Sequence, residues 1–196
     1  MKTTIVYNHP YNKSYNHAIL EAVEKIALEK GEVKVIDLDA ENFNPVMTSQ
    51  DLLGFVKHEH MDLQAKAYGK EIATSDHLVL IFPIWWELMP AMMKGFIDKV
   101  VFPGSFYDYA DNGLSMVAKH KQLKTVTIIT TMNTPKLLYK LVYGNAIQRA
   151  LVRGTFKKAG YKNIKWLSLN MVKMVSQEKR QNWFKKIAGK VKKRLV

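Results

Sequence analysis

Residues 78–102, LVLIFPIWWELMPAMMKGFIDKVVF, constrain the fold of this chain more than any other stretch. Leu78, Val79, Leu80, Ile81 and Phe82 make a short apolar run with the β-branched content of a strand covered on both faces, as in a parallel sheet. Pro83 stops it, because a residue without an N–H cannot continue a central ladder. From Pro90 the spacing turns helical, with Met93, Phe96, Ile97 and Val100 on one side and Pro90 near the first turn, where a missing N–H costs nothing. Ligands of open α/β sheets sit beyond the carboxyl ends of the strands, so Pro83, Ile84, Trp85, Trp86 and Glu87 are candidate binding positions. Two tryptophans there either wall a pocket for a flat ring or pack in the core or at a subunit interface, and periodicity does not separate these readings.

Four further strands are expected around this unit. Thr3, Thr4, Ile5, Val6 and Tyr7 form the first, leaving through Asn8, His9 and Pro10. Ser14 is placed to cap a helix whose apolar positions are Ala18, Ile19, Ala22, Val23, Ile26 and Ala27. A helix that begins just beyond a strand end presents open N–H groups to an anion, and His9, Lys13, Ser14 and Asn16 add side-chain donors; a capped helix without a ligand fits the pattern equally. Gly31 ends that helix, and residues 32–38 read as the second strand. Residues 50–74 read as mostly helical with weak points at Gly54 and Gly69. His58, Glu59, His60 and Asp62 lie in this span but lack the spacing of helical metal ligands. Residues 103–123 read as a long polar connection, residues 124–131 as a buried strand, and residues 137–159 as a helix interrupted near Tyr143, Gly144 and Asn145. Residues 161–169 supply the last strand, and Trp183, Phe184, Ile187, Val191 and Leu195 mark the apolar face of a closing helix.

The alternation of strands and helices predicts one doubly wound α/β domain over residues 1–196, with no internal repeat. No cysteine is present, which removes disulfides and thiolate chemistry, and no apolar window is long enough to span a bilayer, so a cytoplasmic location is expected. The formal charge of +13 concentrates in residues 157–196, where Glu178 is the single acidic residue. Such a face is either merely solvated or attracts an anionic membrane surface or nucleic acid.

The run PIWWELMPAMMKGFIDKVVFPGSFYDY resembles the signature of the flavodoxin-like NAD(P)H:quinone reductases, the DT-diaphorase family with its smaller bacterial relatives. Trp86, Pro90, Ala91, Lys94, Gly95, Asp98 and Gly104 fall at family spacing. The resemblance implies a flavodoxin-like five-stranded parallel sheet of order 2-1-3-4-5, whose switch point gathers the exits of strands one, three and four. It implies a flavin phosphate at His9, Ser14, Tyr15 and Asn16, and a flavin ring along residues 83–87 and along Thr130, Thr131, Met132 and Asn133. Tyr107 and Tyr109 match the paired tyrosines that face the flavin and contact the substrate. Two departures stand out: Ser105 replaces an aromatic, and Met132-Asn133 replaces a glycine pair that lets backbone approach the ring.

The activity so implied is hydride transfer from NAD(P)H through bound flavin to a quinone-like acceptor, in a homodimer without nucleic acid. FMN is favoured over FAD because the chain lacks the family's longer C-terminal region. The basic closing helix leaves room for weak membrane-surface contact. The alternatives are a flavodoxin-like regulatory module serving a partner such as a potassium-efflux system, and a basic nucleic-acid binder.

Overall fold

The computed structural model describes residues 1–195, so the last position of the expected domain, Val196, lies outside the described residues. Strands β1 (Lys2–Tyr7), β2 (Glu32–Asp37), β3 (His77–Pro83), β6 (Thr125–Met132) and β7 (Ile164–Asn170) form one parallel sheet in the order β2-β1-β3-β6-β7, which is the 2-1-3-4-5 order of a flavodoxin-like fold. The register pairs Tyr7 with Ile81 and Pro83 with Thr131, so the exits of β1, β3 and β6 open side by side.

Alternation along the central strands explains the burial. Val6, Leu78, Leu80, Phe82, Val126 and Ile128 point into a core on one face, where α3 (Leu63–Ala73) and α4 (Ala91–Val100) pack. Ile5, Tyr7, Val79, Ile81 and Ile129 point the other way, against α1 (Tyr15–Leu28) and α6 (Gln177–Lys192). Every residue of β3 is buried, as a strand covered on both faces requires. Ile187 and Val191 of α6, with Leu195 just beyond it, lie in that second core, so the helix's apolar side is occupied by the fold and its basic side faces outward. Among the described residues no helix is long and apolar enough to cross a membrane.

Four expectations are corrected. Residues 50–74 form two helices, α2 (Ser49–Lys57) and α3, broken at residues 58–62 rather than at a glycine. His58 takes the left-handed conformation (φ 59°), Asp62 caps α3, and Gly54 and Gly69 lie inside helices where other chain segments approach closely. The polar connection after α4 contains an antiparallel hairpin, β4 (Tyr107–Tyr109) with β5 (Met116–Ala118). Its turn is set by Asn112, whose Oδ1 accepts from Leu114 N and Ser115 N, and by Gly113 at φ 65°. The expected helix over residues 137–159 becomes α5 (Lys136–Leu141), a reversal through Gly144 and Asn145, and a π-helix (Gln148–Lys157). The last strand starts at Ile164, because Tyr161 turns inward to donate its hydroxyl to Phe106 O at 2.8 Å.

Candidate functional site

Beyond β1, Asn8 stays tied to the sheet: its N–H donates to Ile81 O (3.0 Å) and its Nδ2 to Asp39 Oδ2 (2.7 Å). His9 Nδ1 accepts from Tyr11 N (3.1 Å), which leaves the imidazole proton on Nε2 when the ring is neutral. Desolvation lowers the His9 pKa against the opposing pull of Asp39, so the neutral ring prevails near neutrality. Ser14 is the N-cap of α1; its Oγ accepts from His17 N at 3.1 Å. Helix geometry leaves the first-turn N–H groups of Tyr15 and Asn16 without helical acceptors, at the positive end of the helix dipole. The Tyr15 side chain turns away from this loop. Its hydroxyl donates to Arg180 O (2.8 Å) and its ring packs on Phe184 and Trp183 of α6; burial raises its pKa to about 12 against the lowering effect of Arg180. Only its backbone serves the loop.

The β3 exit is a tight turn. Trp85 and Leu88 exchange N–H···O bonds at 3.0 and 3.1 Å, and the two residues between them, Trp86 (φ 49°) and Glu87 (φ 64°), are both left-handed. That is the type I′ form, which favours Asn-Gly and strains other residues by of order 1–3 kcal/mol each. Contacts from the next exit hold it: Glu87 Oε1 accepts from Thr134 Oγ1 (2.6 Å), and Glu87 O accepts from the Tyr139 hydroxyl (2.9 Å). Trp86 is 98% exposed, so it belongs to neither core, while Trp85 stands edge-on to His9 with centroids 6.1 Å apart.

Thr131 joins the three exits. Its carbonyl accepts from Ile84 N (2.8 Å) and its hydroxyl donates to Asn16 Oδ1 (2.7 Å). Asn16 is 2% exposed, and its Nδ2 is buried without a partner. An unsatisfied buried amide donor is costly and calls for an acceptor. Thr130 Oγ1 is occupied by Trp166 Nε1 (2.9 Å). The exit of β7 forms a fourth wall that sequence reasoning missed. Val172 N donates to Met132 O, Lys173 N to Asn133 Oδ1 and Asn170 Nδ2 to Thr134 O, at 2.9–3.2 Å. Asn170, the polar residue closing an alternating strand, was the available signal. Tyr139 gains its place at the site only through its bond to Glu87 O, which no local pattern announces.

Tyr107 and Tyr109 lie elsewhere. Their hairpin is pinned by Tyr161 and by the close approach of Gly160 to Ala118, both just before β7 begins, at the amino end of the strands. The exits described above are at the carboxyl end, and a seven-residue strand rising roughly 3.3 Å per residue spans about 20 Å from end to end. The two rings meet edge to face at 5.8 Å, and burial raises the Tyr107 pKa to about 12. One chain therefore brings His9, Ser14, Asn16, residues 83–87 and residues 130–133 together, without its own tyrosine pair. A cavity of about 510 Å3 also lies at the amino end, lined by His120, Lys121 and Tyr161, and it shares no residue with the exits. Among the described residues no group of three or more His, Cys, Asp or Glu is arranged to hold a metal ion.

A site with open helix N–H groups, an exposed aromatic turn and a buried unpaired amide suits a flat, polar-edged molecule carrying a phosphate. A family model described as flavodoxin-like fold matches residues 1–195. An uncharacterized NAD(P)H oxidoreductase of Haemophilus influenzae is 27% identical over 100% of this chain and 96% of its own length. NAD(P)H dehydrogenase (quinone) 1 of Rattus norvegicus is 29% identical over 66% of this chain, which spans 53% of that protein. The solved structure of Smu.1420 from Streptococcus mutans UA159 superposes with a TM-score of 0.84 at 30% identity, covering 98% of this chain and 100% of that one.

Proposed function

The chain belongs to the family of flavodoxin-like fold matched over residues 1–195, and from that premise we propose that it is a flavin-dependent NAD(P)H oxidoreductase with a quinone or similar small acceptor. One observation carries the proposal: Thr131 holds three strand exits around Asn16, whose buried Nδ2 has no partner in the protein. Bound flavin would supply the redox chemistry, taking hydride from NAD(P)H and passing two electrons to the acceptor. Tyr15 and Asn16 N–H groups hold the phosphate, while Ser14 keeps that helix start open. Trp85 and Trp86 flank the ring. Residues 130–133 border its polar edge through backbone, and the Thr131 hydroxyl, already given to Asn16, acts by positioning that amide. A single capped helix start suits the monophosphate of FMN, with FAD as the alternative. The donor is regenerated inside cells, which favours a cytoplasmic location. We treat residues 1–196 as one functional domain.

Purified protein should be yellow, oxidise NAD(P)H with a quinone, and release a flavin whose mass identifies it. Colourless protein that takes up neither FMN nor FAD sinks the proposal. Trp86→Ala should weaken flavin retention about tenfold, the scale of one lost aromatic contact of about 1.4 kcal/mol. Because the ring is solvent-exposed, apoprotein stability should stay within about 0.5 kcal/mol. Equal flavin affinity in the variant would place the ring off the aromatic turn.

A homodimer completes this reading. Tyr107 and Tyr109 can reach strand exits only in a second copy, and Leu52, Leu53 and Val56 of α2 are exposed apolar residues that a partner would cover. Sedimentation at micromolar concentration should give the dimer mass. With flavin fully loaded, Tyr107→Ala/Tyr109→Ala should raise KM for quinone, and the corresponding Phe pair should stay near the parent if stacking dominates. Mixed dimers of this Ala variant with an Asn16→Leu chain should recover activity, since one of their two sites is intact. No recovery would mean that the tyrosines do not cross.

A further inference from the structure

Between α5, the π-helix and β7 lies a cavity of about 280 Å3, lined by Lys136, Lys140 and Arg153 and by no acidic residue. None of these three cations forms a salt bridge among the described residues. Asn145 also lines the cavity, and its Oδ1 is buried without a partner. We propose that this cavity binds the adenosine 2′-phosphate of the hydride donor and so selects NADPH over NADH; the inference rests on the oxidoreductase reading above.

The helix register places the charge. Lys158 N donates to Arg153 O at 3.1 Å, a backbone bond spanning five residues at the end of the π-helix. In a π-helix, residues five apart stack on one face, so Gln148 and Arg153 enter the cavity together. In an α-helix of 3.6 residues per turn they would diverge by roughly 140°. π-Helical segments are rare and frequent at functional sites. Two lysines and an arginine fork match a phosphate monoester, which offers strong acceptor oxygens and more than one negative charge. The Asn145 oxygen needs an N–H or O–H, and adenosine carries both beside its phosphate. Trp166 adds a flat wall.

The cavity adjoins the switch-point loops. Tyr139, on its wall, donates to Glu87 O of the aromatic turn, and Asn170, also lining it, donates to Thr134 O. A dinucleotide with its nicotinamide at the aromatic turn has its adenosine end within reach of this wall.

The test titrates the protein as purified with redox-inert adenosine 2′,5′-bisphosphate, 5′-AMP and inorganic phosphate, by calorimetry. The bisphosphate should bind at least tenfold tighter than 5′-AMP. Lys136→Glu/Arg153→Glu should abolish that preference with melting temperature and flavin content unchanged; if the pair unfolds, Lys136→Gln/Arg153→Gln replaces it and should reduce the preference severalfold. Equal binding of bisphosphate and 5′-AMP by the parent overturns the proposal, as does a preference that survives in the folded variants. Inorganic phosphate binding as tightly as the bisphosphate would assign the cavity to free phosphate and overturn it too. The two readings fail separately. A colourless protein that keeps the 2′-phosphate preference sinks the flavin assignment alone, and a yellow protein without the preference sinks only this site.

Discussion

Lys99→Ala is expected to destabilise the protein by about 3 kcal/mol, the lower end of what breaking a buried ion pair costs. A chain of this length should then melt roughly 6–12 °C lower. Lys99 is 3% exposed; its Nζ bonds Asp62 at 2.5 Å, lies 3.5 Å from Asp51, and donates to Asn44 O and Val46 O. Each carboxylate has a second duty. Asp62 caps α3 through Gln64 N and Ala65 N, and Asp51 closes a capping box with Thr48 on α2. Removing the ammonium leaves two largely buried negative charges facing each other, so the loss exceeds that of an exposed pair. Lys99→Met retains most of the apolar stem while removing the ammonium that lies 5.7 Å from the Phe43 ring centroid, and should cost nearly as much, which would assign the loss to charge rather than packing.

The pH dependence follows. Burial pushes the Asp62 pKa up, but the Lys99 bond and the Ala65 and Gln64 N–H groups outweigh it and hold the carboxyl below its ordinary value. A depressed pKa contributes stability that is present above the unfolded value of about 3.9 and lost as pH falls through the lower folded value. The gap between parent and Lys99→Ala, read from urea unfolding, should therefore narrow below about pH 4. A cost under about 1 kcal/mol at pH 7 would show that the cluster contributes no more than a surface pair.

Gly95→Ala should cost about 3 kcal/mol, at the upper end of overpacking. A Cβ at Gly95 would meet the Pro45 carbonyl oxygen, Cα and Cβ well inside van der Waals contact, and the neighbour is backbone that cannot rotate away. The relief available is to move α4 off the turn at residues 44–46. Since α4 begins immediately after the aromatic exit, flavin retention should fall with stability. Gly189→Ala is the internal control: nothing lies within 4 Å of its Cβ position in α6, so better helix propensity should stabilise the protein by up to about 1 kcal/mol. Equal stability of Gly95→Ala and the parent would mean that α4 and the turn separate without cost.

How much of this was legible in the sequence depended on distance along the chain. Leu78–Phe82 read as a doubly covered strand because sidedness and length are local, and β3 is buried throughout. Ser14 read as a cap because a cap is defined by its next three residues, and His17 N is bonded to it. The hairpin was missed although Asn112-Gly113 marks its turn, because three-residue strands carry too little alternation to register. The break at residues 58–62 was misplaced to glycines. Gly54 is small because the chain at Glu59 and Met61 approaches its Cβ position, a contact that no local pattern announces.

The sequence by itself determined the five strands of the main sheet and their order, the exits at residues 9–16, 83–87 and 130–133, and the family, since each depends on residues near one another in the chain. Tertiary structure alone decided what those residues do. It turned the Tyr15 side chain to α6 and gave the Thr131 hydroxyl to Asn16, and it bound the Glu87 turn to Thr134 and Tyr139. It also set Tyr107 and Tyr109 at the far end of the sheet. Local propensity fixes where a strand ends, but which donor meets which acceptor across 47 or 115 residues follows from sheet register and helix packing, and those are properties of the whole chain.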